Sequence, residues 1–518
     1  MKKLLIIFAG AGLMFSSCKK SFLDVNNNPN TATFSRADYQ MNGALATSVN
    51  NGVWNNPNNA LGGGWAGFWG FSTSFTGGGQ QKTYIFSNTD FNYWDATYDN
   101  IFDYQYVIKN GAGQGYGYLV GPAMVMQAML FQRLVDMYND IPYSQALNLQ
   151  SYVTPTYDPG QSVYEDLIKK LDTAITQIKA ATFSAAGDIV FAGNKTSWVQ
   201  LANTIKLRIL LRQAYMSGRD SYITTEINKI LAEGSGFLTA DARVNPGYLK
   251  QTNKLNPFYA GWGFNENDVE QGNHRFYKVG ADIVNFFKNT LDTFRLQRIA
   301  DPKVANPILD PVTLQVDKNN FGNYIGVPLG ARGNAYLETL CSSVGSALVS
   351  KGDAVRPMIL FTAAESYFLQ AEAAQRYGIA GLGNAQTLYE SGVTSSFILD
   401  AATYSGTPSA NVATATAWAQ KYLASGQDLV SWTASTDKLA TIITQKWASL
   451  FPFNGFEAWT EWRRSGTPTI TLSVYPGANP VQPRRIYYPI SESNTNASNL
   501  SQEGAINVYT SKIFWDKR

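Results

Sequence analysis

Residues 159–180 read PGQSVYEDLIKKLDTAITQIKA, and Val163, Leu167, Leu171, Ala174, Ile175 and Ile178 recur at three- and four-residue spacing. That period places them on one face of an α-helix. Pro159-Gly160 breaks the chain just before, and Ser162 with Glu165 has the pattern of a capping box, which predicts a start at Ser162. Upstream, Pro122 suits a first helical turn, and the Met-, Leu- and Val-rich run to Tyr138 is stopped by Ile141-Pro142. Downstream, Ser197 and Gln200 repeat the cap signal, opening a helix through Leu201, Ile205, Ile209 and Leu211. Its apolar residues are not confined to one face, which predicts a helix inside a stack. Helical patterns resume at 357–377, 384–398, 411–424 and 437–451, with stripes such as Ala364, Phe368 and Ala371, then Leu439, Ile442, Ile443 and Trp447. Paired helices with Ala-rich contact faces predict a mainly α fold of antiparallel hairpins stacked as a short solenoid.

Composition narrows function before any site is named. The chain has 518 residues, 45% hydrophobic and 15% charged, which describes an ordered globular protein. Its 41 basic and 38 acidic residues leave a net charge of +3, so no electrostatic footprint for nucleic acid is present. The single histidine, His274, excludes sites built on two imidazoles, and Cys18 and Cys341 are too few for thiolate clusters or a disulfide framework. Walker A, GxSxG and CxxC patterns are absent. Gly62 to Gly67 matches GxGxxG in letters, but an Asn/Pro loop precedes it where a dinucleotide site needs a strand. A glycosidase needs two carboxylates across a cleft, and 38 acidic residues offer many pairs without singling one out. Glu457, Glu461, Arg463 and Arg464, beside Trp459 and Trp462, read best as helix-face ion pairs and buried structural arginines. No cofactor is expected. Calcium stays open, because scattered loop Asp and Asn give no EF-hand spacing.

The first residues read as an address. Lys2 and Lys3 precede twelve apolar residues, Leu4 to Phe15, then Ser16, Ser17 and Cys18. The run is shorter than the ~20 residues a spanning helix needs. It has the layout of a signal peptide over 1–17. The stretch resembles the lipobox of bacterial lipoproteins, in which the cysteine, here Cys18, carries the lipid (palmitate and related acyl chains).

Between the helical segments lie two loop-rich stretches. A single domain over 18–518 divides into a loop-rich part (19–117), a first helical part (118–235), a loop-rich insert (236–355) and a C-terminal helical part (356–518). Trp54, Trp65, Phe68, Trp69, Phe71 and Phe75 sit among Gly and Asn in the first, and Tyr259, Trp262 and Phe264 form a second group. One reading is a satellite core over the helices. The other is a platform, with flat rings on the C–H faces of sugars and amides answering the hydroxyls. Roughly 100 Å² buried per stacked sugar corresponds to about 2.5 kcal/mol gross. Two or three platforms, less immobilisation, suit micromolar to millimolar capture with easy release.

Several stretches together resemble the SusD/RagB family, in its SusD-like branch. They include Ser21-Phe22-Leu23-Asp24-Val25-Asn26, Leu134 through Leu147 with Asn139-Asp140-Ile141-Pro142, and Trp198 through Arg212. Further along come Leu388-Tyr389-Glu390-Ser391-Gly392, Thr444 through Trp447, Trp462 through Pro468, and Pro483 through Pro489 with Glu492. The resemblance implies tetratricopeptide-like helical hairpins with a loop-rich ligand face and few short strands. It also implies a lipid-anchored protein exposed on the outer membrane. Such a protein would pass glycan, or in some members peptide, to a SusC-like TonB-dependent transporter without catalysis. The family's ligand residues form no motif, so none transfers by position. A secreted glycan hydrolase and a helical protein-interaction scaffold are the competing functional readings.

Overall fold

The computed structural model describes residues 34–50, 57–402 and 411–518, so Cys18 and Trp54 lie outside the described residues. Seven helices lead: α1 (Ala37–Val49), α2 (Pro57–Trp65), α3 (Trp94–Asn110), α4 (Val120–Tyr138), α5 (Gly160–Ala180), α6 (Lys195–Arg212) and α7 (Asp220–Glu233). After the insert, which holds α8 (Ala281–Asn289) and α9 (Thr293–Ile299), come α10 (Ala363–Tyr377), α11 (Ala385–Ala401), α12 (Asn411–Leu423), α13 (Lys438–Leu450) and α14 (Gly455–Ser465). Consecutive helices pack on one another from α3 to α7 and from α10 to α12, and α6 against α10 joins the two sets. The architecture is mainly α, with tetratricopeptide-like hairpins. Among the described residues no helix is long and apolar enough to cross a membrane.

The helix starts differ from the sequence expectation. α5 begins two residues before Ser162, with Pro159 as N-cap and no side-chain cap. Its first amide, Gly160 N, donates to Asp140 Oδ1 at 2.6 Å. The cap is therefore tertiary, and a carboxylate at a helix N-terminus also meets the helix dipole favourably. α6 likewise starts early, because Asn194 Oδ1 accepts from Ser197 N (3.2 Å) and displaces Ser197 as the cap. Buried residues run almost without break from Trp198 to Arg212, as a helix inside a stack requires.

The stretch 19–117, expected to be loop-rich, contains α1, α2 and α3. Their periodicity is hidden because polar side chains sit on the buried faces. Ser48 Oγ of α1 bonds Asn100 Oδ1 of α3 (2.6 Å) and Tyr104 Oη (2.8 Å), and all three are buried. The Gly62–Gly67 motif serves packing. A Cβ on Gly62 would lie 2.7 Å from Phe456 Cα, so glycine lets α2 touch the backbone of α14.

Strands are short. β1 (Trp69–Phe71) pairs antiparallel with β3 (Tyr277–Val279), and β2 (Ala242–Val244) with β4 (Met358–Phe361). The interior also contains charge. Arg212 of α6 bonds Glu457 (2.7 Å) and Glu461 of α14, while Lys446 of α13 meets Glu461 at 2.6 Å. Arg464 bridges Glu461 and Glu372 of α10, each at 2.7 Å. Burial alone would raise the Glu372 carboxyl, but Arg464, Arg376 and Lys446 outweigh it and hold it at about 2. Glu461 is held well below its ordinary value, burial being overcome by Arg464, Lys446 and Arg212. These are structural ion pairs that tie four helices together.

Candidate functional site

Most of the loop aromatics face inward. Trp65, Phe68, Trp69, Phe71, Tyr259 and Trp262 are buried. Trp65 meets Trp459 at 5.0 Å, Phe68 meets Trp447 at 5.5 Å, and Trp69 meets Trp262 at 4.8 Å. Trp262 is stacked on Tyr277 at 4.2 Å, which joins the 250–276 lobe to the β1–β3 ribbon. The platform expected at these six rings is therefore corrected: they are covered by protein, Trp65 by α14, Phe68 by α13, and Trp262 by the ribbon. Phe264 is half-buried against His274 at 5.3 Å.

Among the described residues of the first group, Phe75 is the one that reaches solvent, at 37% exposure. β1 delivers it to the edge of the ribbon. Ser72 N donates to Phe276 O, Thr73 N to Tyr336 O, and Glu338 N to Ser74 Oγ, so this loop is stitched to residues 333–338. Gly78, at φ +61°, places its backbone where a Cβ would lie 2.7 Å from the Phe71 ring. The glycine run thus folds the loop back and leaves Phe75 outside. Arg275 lies 5.1 Å from the Phe75 ring and pairs twice with Glu338, at 2.9 and 3.0 Å. Tyr475 continues the face, with Lys82 at 5.0 Å and Arg332 at 5.6 Å from its ring.

A short helix, Gly272–Phe276, carries Arg275 and Phe276 at one end. Its N-cap, Gln271, lines a cavity of about 360 Å³. The backbones of Gln271 and Arg275 are therefore roughly 6 Å apart along the helix at 1.5 Å per residue, so one short helix serves both features. Leu255, Pro257 and Ala260 give the cavity an apolar floor, while Asn50, Asn253 and Asn265 bring amides to it. Among the described residues, the side-chain amide nitrogens of these three asparagines have no hydrogen-bond partner. Thr252 Oγ1 donates to Glu266 Oε1 (3.0 Å) on the rim. Beside the lining residue Ala260, the buried Tyr259 fixes the backbone: its hydroxyl donates to Asp268 (2.7 Å) and accepts from Gly352 N, and burial pushes its phenol up to about 12. His274 is structural. Its Nδ1 lies 3.0 Å from Trp262 O, and burial pushes its imidazole below the ordinary value.

An apolar floor with available amide nitrogens, beside an exposed ring and a guanidinium, is suited to a neutral hydroxylated ligand. The sequence reading missed Arg275, Glu338 and the asparagines. Arg275 and Glu338 are 63 positions apart, and no local pattern links them.

Paired carboxylates also occur, in a cavity of about 510 Å³ between α3, α4 and α5, where Asp158 and Asp166 lie near Lys170. Asp158 accepts from Tyr143 N, Ser144 N and Ser144 Oγ, and Asp166 accepts from Tyr143 Oη at 2.6 Å. Both carboxylates hold the 142–158 loop. Among the described residues, no group of three His, Cys, Asp or Glu is placed to hold a metal ion.

The SusD-like family model, described as "Starch-binding associating with outer membrane", matches residues 28–489. No curated protein sequence matches the chain. Solved structures do. A SusD homolog from Bacteroides fragilis is similar at TM-score 0.74 and 22% identity, over 94% of this chain and 100% of that one. A SusD homolog from Bacteroides uniformis gives 0.69 and 22%, over 94% and 100%. A chitin-binding SusD homolog from Flavobacterium johnsoniae gives 0.67 and 23%, over 92% and 98%. At such identities the likeness is one of fold.

Proposed function

The chain belongs to the SusD-like family, and on that premise we propose that it is a non-catalytic, surface-exposed lipoprotein that captures glycan at the loop face. Cys18 would carry the lipid anchor, and a SusC-like TonB-dependent transporter would receive the ligand. The observation that carries the reading is the pairing of exposed Phe75 and Arg275 with a cavity whose asparagine amide nitrogens have no partner among the described residues. One exposed ring with a few amides supports weak binding, because each contact contributes little beyond immobilisation costs. Weak binding suits a protein that must hand its ligand on. Glycan is favoured over peptide by the amide lining, in which Glu266 is the one charged side chain among the described residues.

The test is calorimetry of the full-length protein with starch and chitin oligosaccharides, beside a product assay and purification from native membranes. Binding without hydrolysis, recovery with a β-barrel partner and an acylated Cys18 are expected. Turnover of the glycan, or binding unchanged in Phe75→Ala and Asn253→Ala, would overturn the assignment.

A further inference from the structure

A second pocket, of about 400 Å³, lies between residues 86–88, Tyr487 and the C-terminal short helices. It shares no lining residue with the cavity of the 250–271 lobe. Phe86 and Tyr487 form one corner, with ring centroids 5.6 Å apart and planes at 68°. Both rings are half-buried, and Phe86 is held from behind by Trp65 (5.9 Å) and Phe91 (5.1 Å). Leu500 and Ile506 supply further apolar wall.

The polar groups around this corner are uncommitted. Among the described residues, Tyr487 Oη, the Asn88 side-chain amide and Ser493 Oγ have no hydrogen-bond partner. They are nonetheless positioned, because Asn88 O accepts from Ile490 N (3.1 Å) and Ser493 N donates to Pro489 O. Among the described residues, no charged side chain lines the pocket. Three carboxylates near it have protein partners: Glu492 accepts from Tyr157 Oη (2.5 Å), Asp90 from Ser87 N (2.6 Å) and Oγ (2.9 Å), and Glu503 from Tyr488 Oη (3.5 Å).

We propose that this pocket is a second carbohydrate-binding site, which takes a neutral pyranose unit against Phe86 and Tyr487 and makes the protein bivalent for a polysaccharide. The chemistry selects that class. Fixed aromatic rings accept the C–H face of a sugar, and three free hydroxyl and amide groups answer its hydroxyls. A charged sugar, phosphate or peptide terminus would find no counter-charge there. The volume lies within the ~300–1,000 Å³ usual for ligand pockets. Two weak sites on one rigid body raise avidity for a polymer far more than for a short oligosaccharide. The inference rests on the reading of the protein as a glycan binder.

The test uses calorimetry on the full-length protein with maltoheptaose and chitohexaose, and retention on insoluble starch and chitin. Ser493→Trp fills the pocket from an exposed position, and Asn88→Ala and Tyr487→Phe remove single groups without opening the core. The wild type is expected to show about two sites. Ser493→Trp should leave about one, with the melting temperature unchanged and retention on polymer lowered about tenfold or more. Asn88→Ala and Tyr487→Phe should each weaken that site roughly 2- to 10-fold. An isotherm unaltered in all three variants, while Phe75→Ala weakens binding, would overturn the second site and leave the first intact. No binding of either oligosaccharide by the wild type would overturn both.

Discussion

Around α14, Arg464 pairs with Glu372 and Glu461 where all three side chains are at most 4% exposed. On the loop face, Arg275 pairs with Glu338 at similar distances, with side chains 47% and 25% exposed, beside the open ring of Phe75. Both regions combine Arg, Glu and aromatic rings. In the first, each Arg464 nitrogen is answered by protein, and the arrangement fixes how α6, α10, α13 and α14 meet. In the second, water still reaches the same chemistry, and a ligand can replace it. Desolvation therefore decides whether an arginine–carboxylate pair serves as structure or as part of a site. Removing one partner of a buried pair leaves an uncompensated charge, whereas an exposed pair has little to lose.

The sharpest way to break that contrast is Arg464→Ala against Arg275→Ala in chemical denaturation. The first should cost about 3–5 kcal/mol and the second under about 1 kcal/mol. Equal losses would show that burial does not separate the regions. Acid sharpens the contrast next. Glu372 is held at about 2 in the folded protein, below its unfolded value near 4.5. A depressed carboxylate contributes stability above the unfolded value, and that contribution disappears as pH falls towards the folded one. At about 1.4 kcal/mol per unit, Glu372 should contribute on the order of 3 kcal/mol at neutral pH. Melting temperature should therefore fall between about pH 4.5 and 2, and Glu372→Gln should flatten that slope. A slope unchanged in the variant would remove Glu372 from the account. Gly62→Ala tests the aromatic side of the core. Its Cβ would meet Phe456 Cα at 2.7 Å, so a loss of about 1–3 kcal/mol is expected in thermal unfolding.

These regions also differ in how far the sequence reveals them. α5, α6 and α10 are legible because Leu, Ile and Ala recur at helical spacing on faces that pack. α3 is not, because its buried face includes Asn100 and Tyr104, whose partner Ser48 is supplied by α1. The start of α5 escapes for a related reason: its cap, Asp140, lies twenty positions upstream. At the site, a concentration of loop aromatics is visible in the letters, but not which ring faces outward. Trp65 is closed in by Trp459 and by Gln81 O accepting from its Nε1, both contacts made only in the tertiary structure. Phe75 escapes because the following glycines fold the loop back against Phe71. Arg275 and Glu338, and Asn50 with Asn253, converge from distant positions that no periodicity connects.

Phe75→Ala carries the smallest expected effect and separates the two regions most cleanly. The ring is 37% exposed, and its contacts are the edge of Phe276 at 6.5 Å and the Arg275 guanidinium at 5.1 Å. Its removal opens no cavity in the core, so the melting temperature should stay within about a degree of wild type, the range of surface substitutions. Binding should respond instead. A ring contact is worth about 0.5–1.5 kcal/mol beyond its area, which corresponds to roughly 2- to 12-fold weaker oligosaccharide affinity. Phe75→Trp offers a larger face from the same backbone position and should restore or exceed wild-type affinity. If Phe75→Ala instead lowered stability by several kcal/mol and left affinity unchanged, Phe75 would belong with Trp65 and Trp69 as core. The loop face would then lose the ring that distinguishes it from the aromatic interior.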